Sequence, residues 1–277
     1  MTPANDHSLP RFNLGDALHD GMVAFRRAPR SFVLFALLLT GLQLLLVPLQ
    51  ERLFTVHGPS TRPLDLLLGL LGLVLSLTVS LWGTQGLVRG AWACLEGQRP
   101  RLPALLRWDG RGFRRLLGAW TAVSLLPLVP LLALLLALSL GLLLLQASPG
   151  LLSDELVVLL GGLLALLGLG SVGCLVLLAT YLGVNQQFLA QITLLEDRNG
   201  WSSVNRGRRL ADPQWVLLLL LLLIKGILLL IGGLLAFVTL GIAWIVAWPL
   251  VSCISTAAYR QLRRRELEAL ASLSPGD

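Results

Sequence analysis

Lys225 is the one lysine of the chain, and it lies within a long apolar run between Pro213 and Tyr259. It is ten residues beyond Trp215, an aromatic residue expected at a membrane interface, which places it roughly 15 Å into a bilayer core. A charge at that depth costs from about 3 to well above 10 kcal/mol, so we expect the ammonium group to face the bundle interior and to find hydrogen-bond partners. The candidate partners in the first two apolar runs are Gln43, Thr84 and Gln85.

Two roles for this intramembrane polar site fit the sequence. Lys225, together with Gln43 and Gln85, could hold an anion or a lipid headgroup in a polar cavity. Alternatively, the lysine is structural and is either hydrogen-bonded to carbonyl groups or carried in its neutral form. Of the two we favour the structural role.

The residues that hydrolysis or group transfer would need do not occur in a catalytic pattern. No HExxH, GxSxG or GxxxxGK[ST] motif is present. The acidic pairs Asp154-Glu155 and Glu196-Asp197 fall in separate loops, and the cysteines show no CxxC spacing. The three histidines, which lie in unrelated segments, are His7, His19 and His57. The sequence therefore predicts a protein that is not an enzyme, with no catalytic residue, no metal site and no cofactor.

Composition decides the class of structure that must position these residues. The chain has 277 residues, of which 55% are hydrophobic and 13% charged, and its mean hydropathy is +0.78. A soluble domain carries about a quarter of its residues charged, and a disordered chain lacks so much apolar surface. We therefore predict an all-α, polytopic membrane bundle with six spans, at about 32–50, 66–88, 116–146, 156–183, 214–233 and 236–258.

The boundaries of the spans follow from the lengths of the apolar runs and from the positions of residues that favour a turn. The first apolar run begins too late for an ordinary secretory signal, so we interpret it as a retained span. The 45 or so apolar residues after Pro213 cover about 68 Å, enough for two crossings of a ~30 Å core, and we place their turn at Gly232–Gly233. Segments 1–31 and 260–277 flank the membrane domain, 32–259.

Arginine placement predicts the orientation. Nineteen arginines fall in the N-terminal segment, in the loops after the second and fourth spans, and after the sixth span, whereas only Arg52 and Arg62 fall in loops on the other side. Basic residues accumulate on the cytoplasmic side, so we expect both termini to be cytoplasmic, in a bacterial inner membrane. The same rule explains the net charge of +7 without a nucleic-acid partner.

The arginine-rich segments also share an order of elements. Each combines a short helix with arginines and then an aromatic residue that opens the next span, with a period of roughly 90 residues from Phe32 to Trp120 to Trp215. The first has Asn13 as a plausible N-cap and an apolar stripe, which consists of Leu14, Leu18, Met22 and Phe25. We predict three helix-hairpin units, each led by an interfacial amphipathic helix that senses the membrane, docks a partner or, as we favour, orients the spans.

Three stretches of the chain resemble known membrane proteins. They are ALHDGMVAFRRAPRSF at 17–32, LLEDRNGWSSVNRGRRLADPQW at 194–215 and GIAWIVAWPLVSCISTAAYRQL at 241–262. They are similar to bacterial multi-pass families grouped around the membrane domain of glycerophosphodiester phosphodiesterase and the YciC-like proteins. The matching positions are Glu196, Asp197, Pro249, Tyr259 and Arg260. The resemblance implies six spans and no activity of its own.

Three functions remain open at this point. The first is a non-enzymatic membrane protein that organises lipid, including anionic lipid, or recruits a partner through its amphipathic segments. The second is a small-solute or lipid carrier or channel, and the third is an accessory membrane subunit of an enzyme. The first is our prediction, because a carrier would place several polar groups at the midplane. A protein partner or a homo-oligomer is compatible with it.

Overall fold

A computed structural model describes residues 12–54, 63–147 and 154–273. Within these ranges the chain is helical and contains no strand, which confirms the all-α prediction. The helices are α1 (Leu14–Arg27), α2 (Pro29–Phe54), α3 (Pro63–Leu95), α4 (Leu102–Leu106), α5 (Gly110–Ala147), α6 (Asp154–Gln186), α7 (Leu189–Leu195), α8 (Gly200–Ala211), α9 (Trp215–Val238) and α10 (Ile242–Leu273). A single 3₁₀ turn, Asp212–Gln214, joins α8 to α9.

Six of these helices are long and apolar enough to cross a membrane: α2, α3, α5, α6, α9 and α10. The six-span prediction is confirmed, and the chain is an integral multi-pass membrane protein. Several helices continue past their predicted ends, because polar residues at the bundle end extend the same helix. The largest difference is α10, which runs to Leu273 although we predicted a separate tail from 260. His7, His57 and Arg62 lie outside the described residues.

The prediction of a turn at Gly232–Gly233 is wrong. Helix α9 continues through both glycines to Val238, and a Cβ on Gly232 would lie 2.7 Å from the Cβ of Ala247 on α10. The missing side chain therefore serves close packing between the two helices rather than a reversal. The chain instead turns at 239–241, where Gly241 has φ +92° and its N–H donates to the carbonyl of Ala236 at 2.8 Å.

The six long helices form three antiparallel hairpins, α2–α3, α5–α6 and α9–α10, and each hairpin follows a short helix. The short helices pack across unit boundaries. Helix α4 contacts the α2–α3 hairpin, α8 contacts α5 and α6, and α1 contacts α10. Each short helix thus lies on the hairpin of the preceding unit, and α1 closes the series onto the last one. This arrangement supports the predicted three-unit repeat.

Helix α1 packs on protein through small residues. Asn13 caps it, accepting a hydrogen bond from the backbone N–H of Gly15 at 2.9 Å. Its fully buried residues are Ala17, Gly21 and Ala24, spaced by four and three. The predicted stripe lies beside this face, partly buried except for Met22, which is 42% exposed. The contact with α10 and α3 holds α1 against the bundle.

The tightest packing lies where the long helices meet the short ones. The largest fully buried side chains include Phe32, Phe35, Phe188 and Tyr259, which lie next to α1, α4 or α7. Farther along, α5 and α6 expose most of their apolar side chains. In a membrane protein, lipid acyl chains cover such surface.

Candidate functional site

Arginine side chains tie several helix ends together at one end of the bundle. Arg27 of α1 donates to the carbonyl of Cys94, and Arg260 of α10 donates to the carbonyl of Leu95 at 2.5 Å. Arg115 of α5 forms an ion pair with Asp197, in the loop between α7 and α8. We call this the arginine-rich end. It comprises the C-terminal ends of α1, α3 and α10, the N-terminal end of α5, and the short helices α4, α7 and α8.

A partly buried carboxylate, that of Glu196, stabilises this end. Oε1 of Glu196 accepts a hydrogen bond from the hydroxyl of Tyr259 at 2.7 Å, and Oε2 accepts from Nε of Arg206 at 3.1 Å and from Nε of Arg198 at 2.9 Å. Arg206 in turn forms a bidentate ion pair with Glu266. The network joins the α7–α8 loop, α8 and α10.

The environment of Glu196 favours its charged form. Burial by itself would raise the pKa of this carboxyl, but the hydrogen bonds from Tyr259 and Arg206 and the charges of Arg206 and Arg198 outweigh burial and hold the pKa below its ordinary value. Glu196 is therefore an anchoring carboxylate rather than a proton donor near neutral pH.

An open cleft of about 980 Å³ lies at the N-terminus of α5. Five arginines and two aspartates line it, so its charge is positive. Its lining residues are Arg89, Arg107, Trp108, Asp109, Gly110, Arg111, Phe113, Arg114, Arg115 and Asp197. We call this cavity the arginine cleft.

Local sequence explains how the cleft is built. Asp109 caps α5, because its Oδ1 accepts hydrogen bonds from the backbone N–H groups of Arg111 and Gly112, both at 3.1 Å. The hydrogen bond from Gly112 is the main cause of a lowered pKa at Asp109, which burial opposes and the charges of Arg89 and Arg115 reinforce. A cap that is ionised fixes the first turn, from which the arginines project.

Two of the five arginines are held by the protein, and three are not. Arg89 donates to the carbonyl of Arg107 at 2.8 Å, and Arg115 pairs with Asp197. Within the three described ranges, no carboxylate forms an ion pair with the side chains of Arg107, Arg111 or Arg114. These three guanidinium groups, beside a positive helix N-terminus, can bind an anion such as a phosphate group.

The predicted intramembrane lysine lies elsewhere in the bundle. Lys225 on α9 is buried, 7% exposed, and its Nζ donates to the hydroxyl of Ser255 on α10 at 3.3 Å. The same nitrogen lies 5.8 Å from the ring centroid of Phe188. Its hydrogen-bond partner is thus Ser255, and neither glutamine that we predicted occupies that place.

Those glutamines have partners of their own. Gln43 on α2 donates to the carbonyl of Ser76 and to the hydroxyl of Ser80, each at 2.9 Å, so it joins α2 to α3. Gln85 is fully buried, and its Oε1 accepts from Arg89 at 3.4 Å. Among the described residues, no hydrogen bond connects Lys225, Gln43 and Gln85.

The sequence contained a signal for the cleft that we assigned to topology alone. The stretch RWDGRGFRR at 107–115 places four arginines around an aspartate cap at the start of a span. Ser255 gave no such signal, because a serine 30 residues from Lys225 becomes its partner only through the packing of α9 on α10.

No family model, curated protein or solved structure matches the chain. In residues 12–54, 63–147 and 154–273, no group of three or more His, Cys, Asp or Glu side chains could hold a metal ion. The arginine cleft is the candidate functional site because its guanidinium groups can bind an anion.

Proposed function

We propose that the protein is a non-enzymatic integral membrane protein that organises anionic lipid through its arginine-rich end. The observation that carries the proposal is the arginine cleft, with Arg107, Arg111 and Arg114 left without a carboxylate partner in the described ranges. Arginines next to a membrane attract anionic headgroups by about 1 kcal/mol each.

The aromatic residues near the cleft support a location at the headgroup layer. Trp108 is 52% exposed and packs on Phe113 with ring centroids 5.0 Å apart, and Trp120 on α5 is 48% exposed. Tryptophan favours the membrane interface, where its ring is partly in contact with lipid. Arg111, Arg114 and Arg115 lie between Trp108 and Trp120 along the chain, so their guanidinium groups would lie at the level of lipid phosphates.

The proposal includes an orientation and a compartment. Both termini and the arginine-rich end are cytoplasmic, and the membrane is a bacterial inner membrane. The 19 to 2 distribution of arginines supports this orientation. It places the cleft against the leaflet whose surface is negative.

Lipid analysis tests the function. The full-length chain is purified in a mild detergent, and the lipids that copurify are compared by mass spectrometry with those of the membrane of origin. We expect anionic phospholipid to be enriched over zwitterionic phospholipid. Copurifying lipid in the same proportions as the membrane would contradict the proposal.

A specific observation favours carrier activity as the second candidate. The helical structure is interrupted at 187–188, between α6 and α7, and Phe188 in this interruption lies beside Lys225. Broken helices next to a buried charge are typical of transport sites. A cysteine at Ser255 should not react with a membrane-impermeant thiol reagent if the bundle interior is closed, and reaction from either side would favour the carrier.

A further inference from the structure

The arginine cleft adjoins a second cavity on the same turns of α5. The second cavity has a volume of about 430 Å³ and is lined by Arg111, Arg114, Arg115, Gly118, Asn199 and Gly200. Three arginines therefore line both cavities. An anion in either cavity would contact the guanidinium groups of Arg111, Arg114 and Arg115. Two negative groups bound side by side, one in each cavity, would therefore share these three positive charges.

An exposed apolar strip continues along α5 from the arginines that line both cavities. Arg111, Arg114, Gly118, Leu125 and Val129 follow one another at intervals of three, four or seven residues, so they lie on one helix face. All five are exposed, with Leu125 at 50% and Val129 at 67%. The face is thus cationic at its start and apolar beyond it.

Gly118 leaves the surface of α5 open between the arginines and the apolar residues of this face. No heavy atom outside the helix lies within 4 Å of the position that a Cβ at Gly118 would occupy. From Gly118 to Val129 the helix rises about 16 Å, which matches one leaflet, or half of a ~30 Å hydrocarbon core. A lipid with its headgroup at the arginines can therefore lay an acyl chain along this face.

We infer that the two cavities form one site for a phospholipid that carries two phosphate groups, one in each cavity, with an acyl chain along the Gly118–Val129 face of α5. This inference rests on the proposed function and names the lipid class that the site selects. A headgroup with a single phosphate would fill only one of the two cavities and would leave the other without an anion.

The test compares lipids and variants on the full-length chain. The protein is delipidated, incubated with phosphatidylcholine, phosphatidylglycerol and diphosphatidylglycerol, and examined by native mass spectrometry. We expect the wild-type chain to retain diphosphatidylglycerol in preference to phosphatidylglycerol at equal phosphate. The double variant Arg111→Gln/Arg114→Gln should lose about 30-fold in affinity for it, which corresponds to about 1 kcal/mol per arginine.

Matched controls separate site binding from general charge. Arg26→Gln/Arg30→Gln removes the same charge from two exposed arginines of the same end and should leave the preference unchanged. Gly118→Leu should block the acyl passage and weaken binding, whereas Gly41→Leu, at an equally open glycine of α2, should not. The melting temperature of each variant verifies that it is folded.

Different results would overturn different statements. Equal retention of the two anionic lipids, or equal losses in the two arginine double variants, would overturn the site while leaving the proposed function intact. Failure to retain either anionic lipid over phosphatidylcholine would overturn both. Tight binding of inorganic pyrophosphate to protein in zwitterionic nanodiscs, with no retention of diphosphatidylglycerol, would show that the ligand is a soluble diphosphate and would overturn the lipid assignment.

Discussion

The hydroxyl of Tyr259, near the middle of α10, donates a 2.7 Å hydrogen bond to Oε1 of Glu196, 63 residues earlier in the chain. Tyr259 is fully buried, and the side chain of Glu196 is 9% exposed. The bond connects the last long helix to the loop between α7 and α8, and Asp197 of that loop contacts the arginine cleft through Arg115. The packing of α10 and the shape of the cleft therefore depend on one another.

Tyr259→Phe should destabilise the protein by about 1–3 kcal/mol, because it removes the 2.7 Å hydrogen bond to Oε1 of Glu196 and leaves that oxygen with only the longer bond from Nη2 of Arg206, at 3.4 Å. Thermal unfolding in detergent measures the effect. Tyr181→Phe, at the other tyrosine of the chain, which is 38% exposed, is the matched control and should change the melting temperature little. Equal effects of the two variants would contradict a structural role for this hydrogen bond.

Stability should fall at acidic pH through Glu196. Its pKa is below the ordinary value in the folded protein, so its contribution is fully present above the pKa of the unfolded chain and is lost as the pH falls through the lower, folded pKa. Melting temperatures between pH 7 and pH 3 measure this loss. Glu196→Gln should show a lower melting temperature at pH 7 and a shallower decline on acidification. A decline as steep as that of the wild type would show that other groups cause it.

Lys225→Met should leave the fold intact or raise its stability, because an apolar side chain of similar length removes the cost of burying an amine. Ser255→Ala should lower stability in the wild-type chain, since the lysine loses its acceptor. The same change should have little effect in the Lys225→Met background. A double-mutant cycle by thermal unfolding measures the coupling, and additive effects would argue that the two side chains do not interact.

Gly21→Leu should destabilise the contact between α1 and α10. A Cβ on Gly21 would lie 2.5 Å from the Cα of Ile254, so backbone must move to accommodate it, at a cost of about 1–3 kcal/mol. Gly41→Leu, on an open face of α2, should be neutral or slightly stabilising. Thermal unfolding compares the two, and an unchanged melting temperature for Gly21→Leu would mean that α1 is not packed on α10.

The parts of the fold that were predictable from sequence are those that depend on local hydrophobicity. Each span is a long, predominantly apolar run, and each arginine-rich segment is recognisable by its charge. The cap at Asn13 was predictable too, because its partner, Gly15, is two residues away. The repeat of short helix and hairpin follows from the order of these local signals.

The parts that could not be predicted depend on which helix faces meet. A glycine within an apolar run is compatible with a turn or with close packing, and only the approach of Ala247 identifies Gly232 as a packing residue. In the same way, Lys225 comes within hydrogen-bond distance of Ser255 only because of how α9 packs against α10. The arginines of 107–115 form a cleft because Asp197 and Arg89 come to them from other parts of the chain.

The central claim is that the arginine-rich end faces the cytoplasm, and cysteine accessibility in intact cells tests it most directly. The native cysteines are first replaced by alanine, and single cysteines are placed at Arg107, in the arginine cleft, and at Glu155, an exposed residue in the first turn of α6. A membrane-impermeant maleimide should label the cysteine at position 155 in intact cells and the cysteine at position 107 only after the cells are opened. Labelling of position 107 in intact cells, with position 155 protected, would contradict the account.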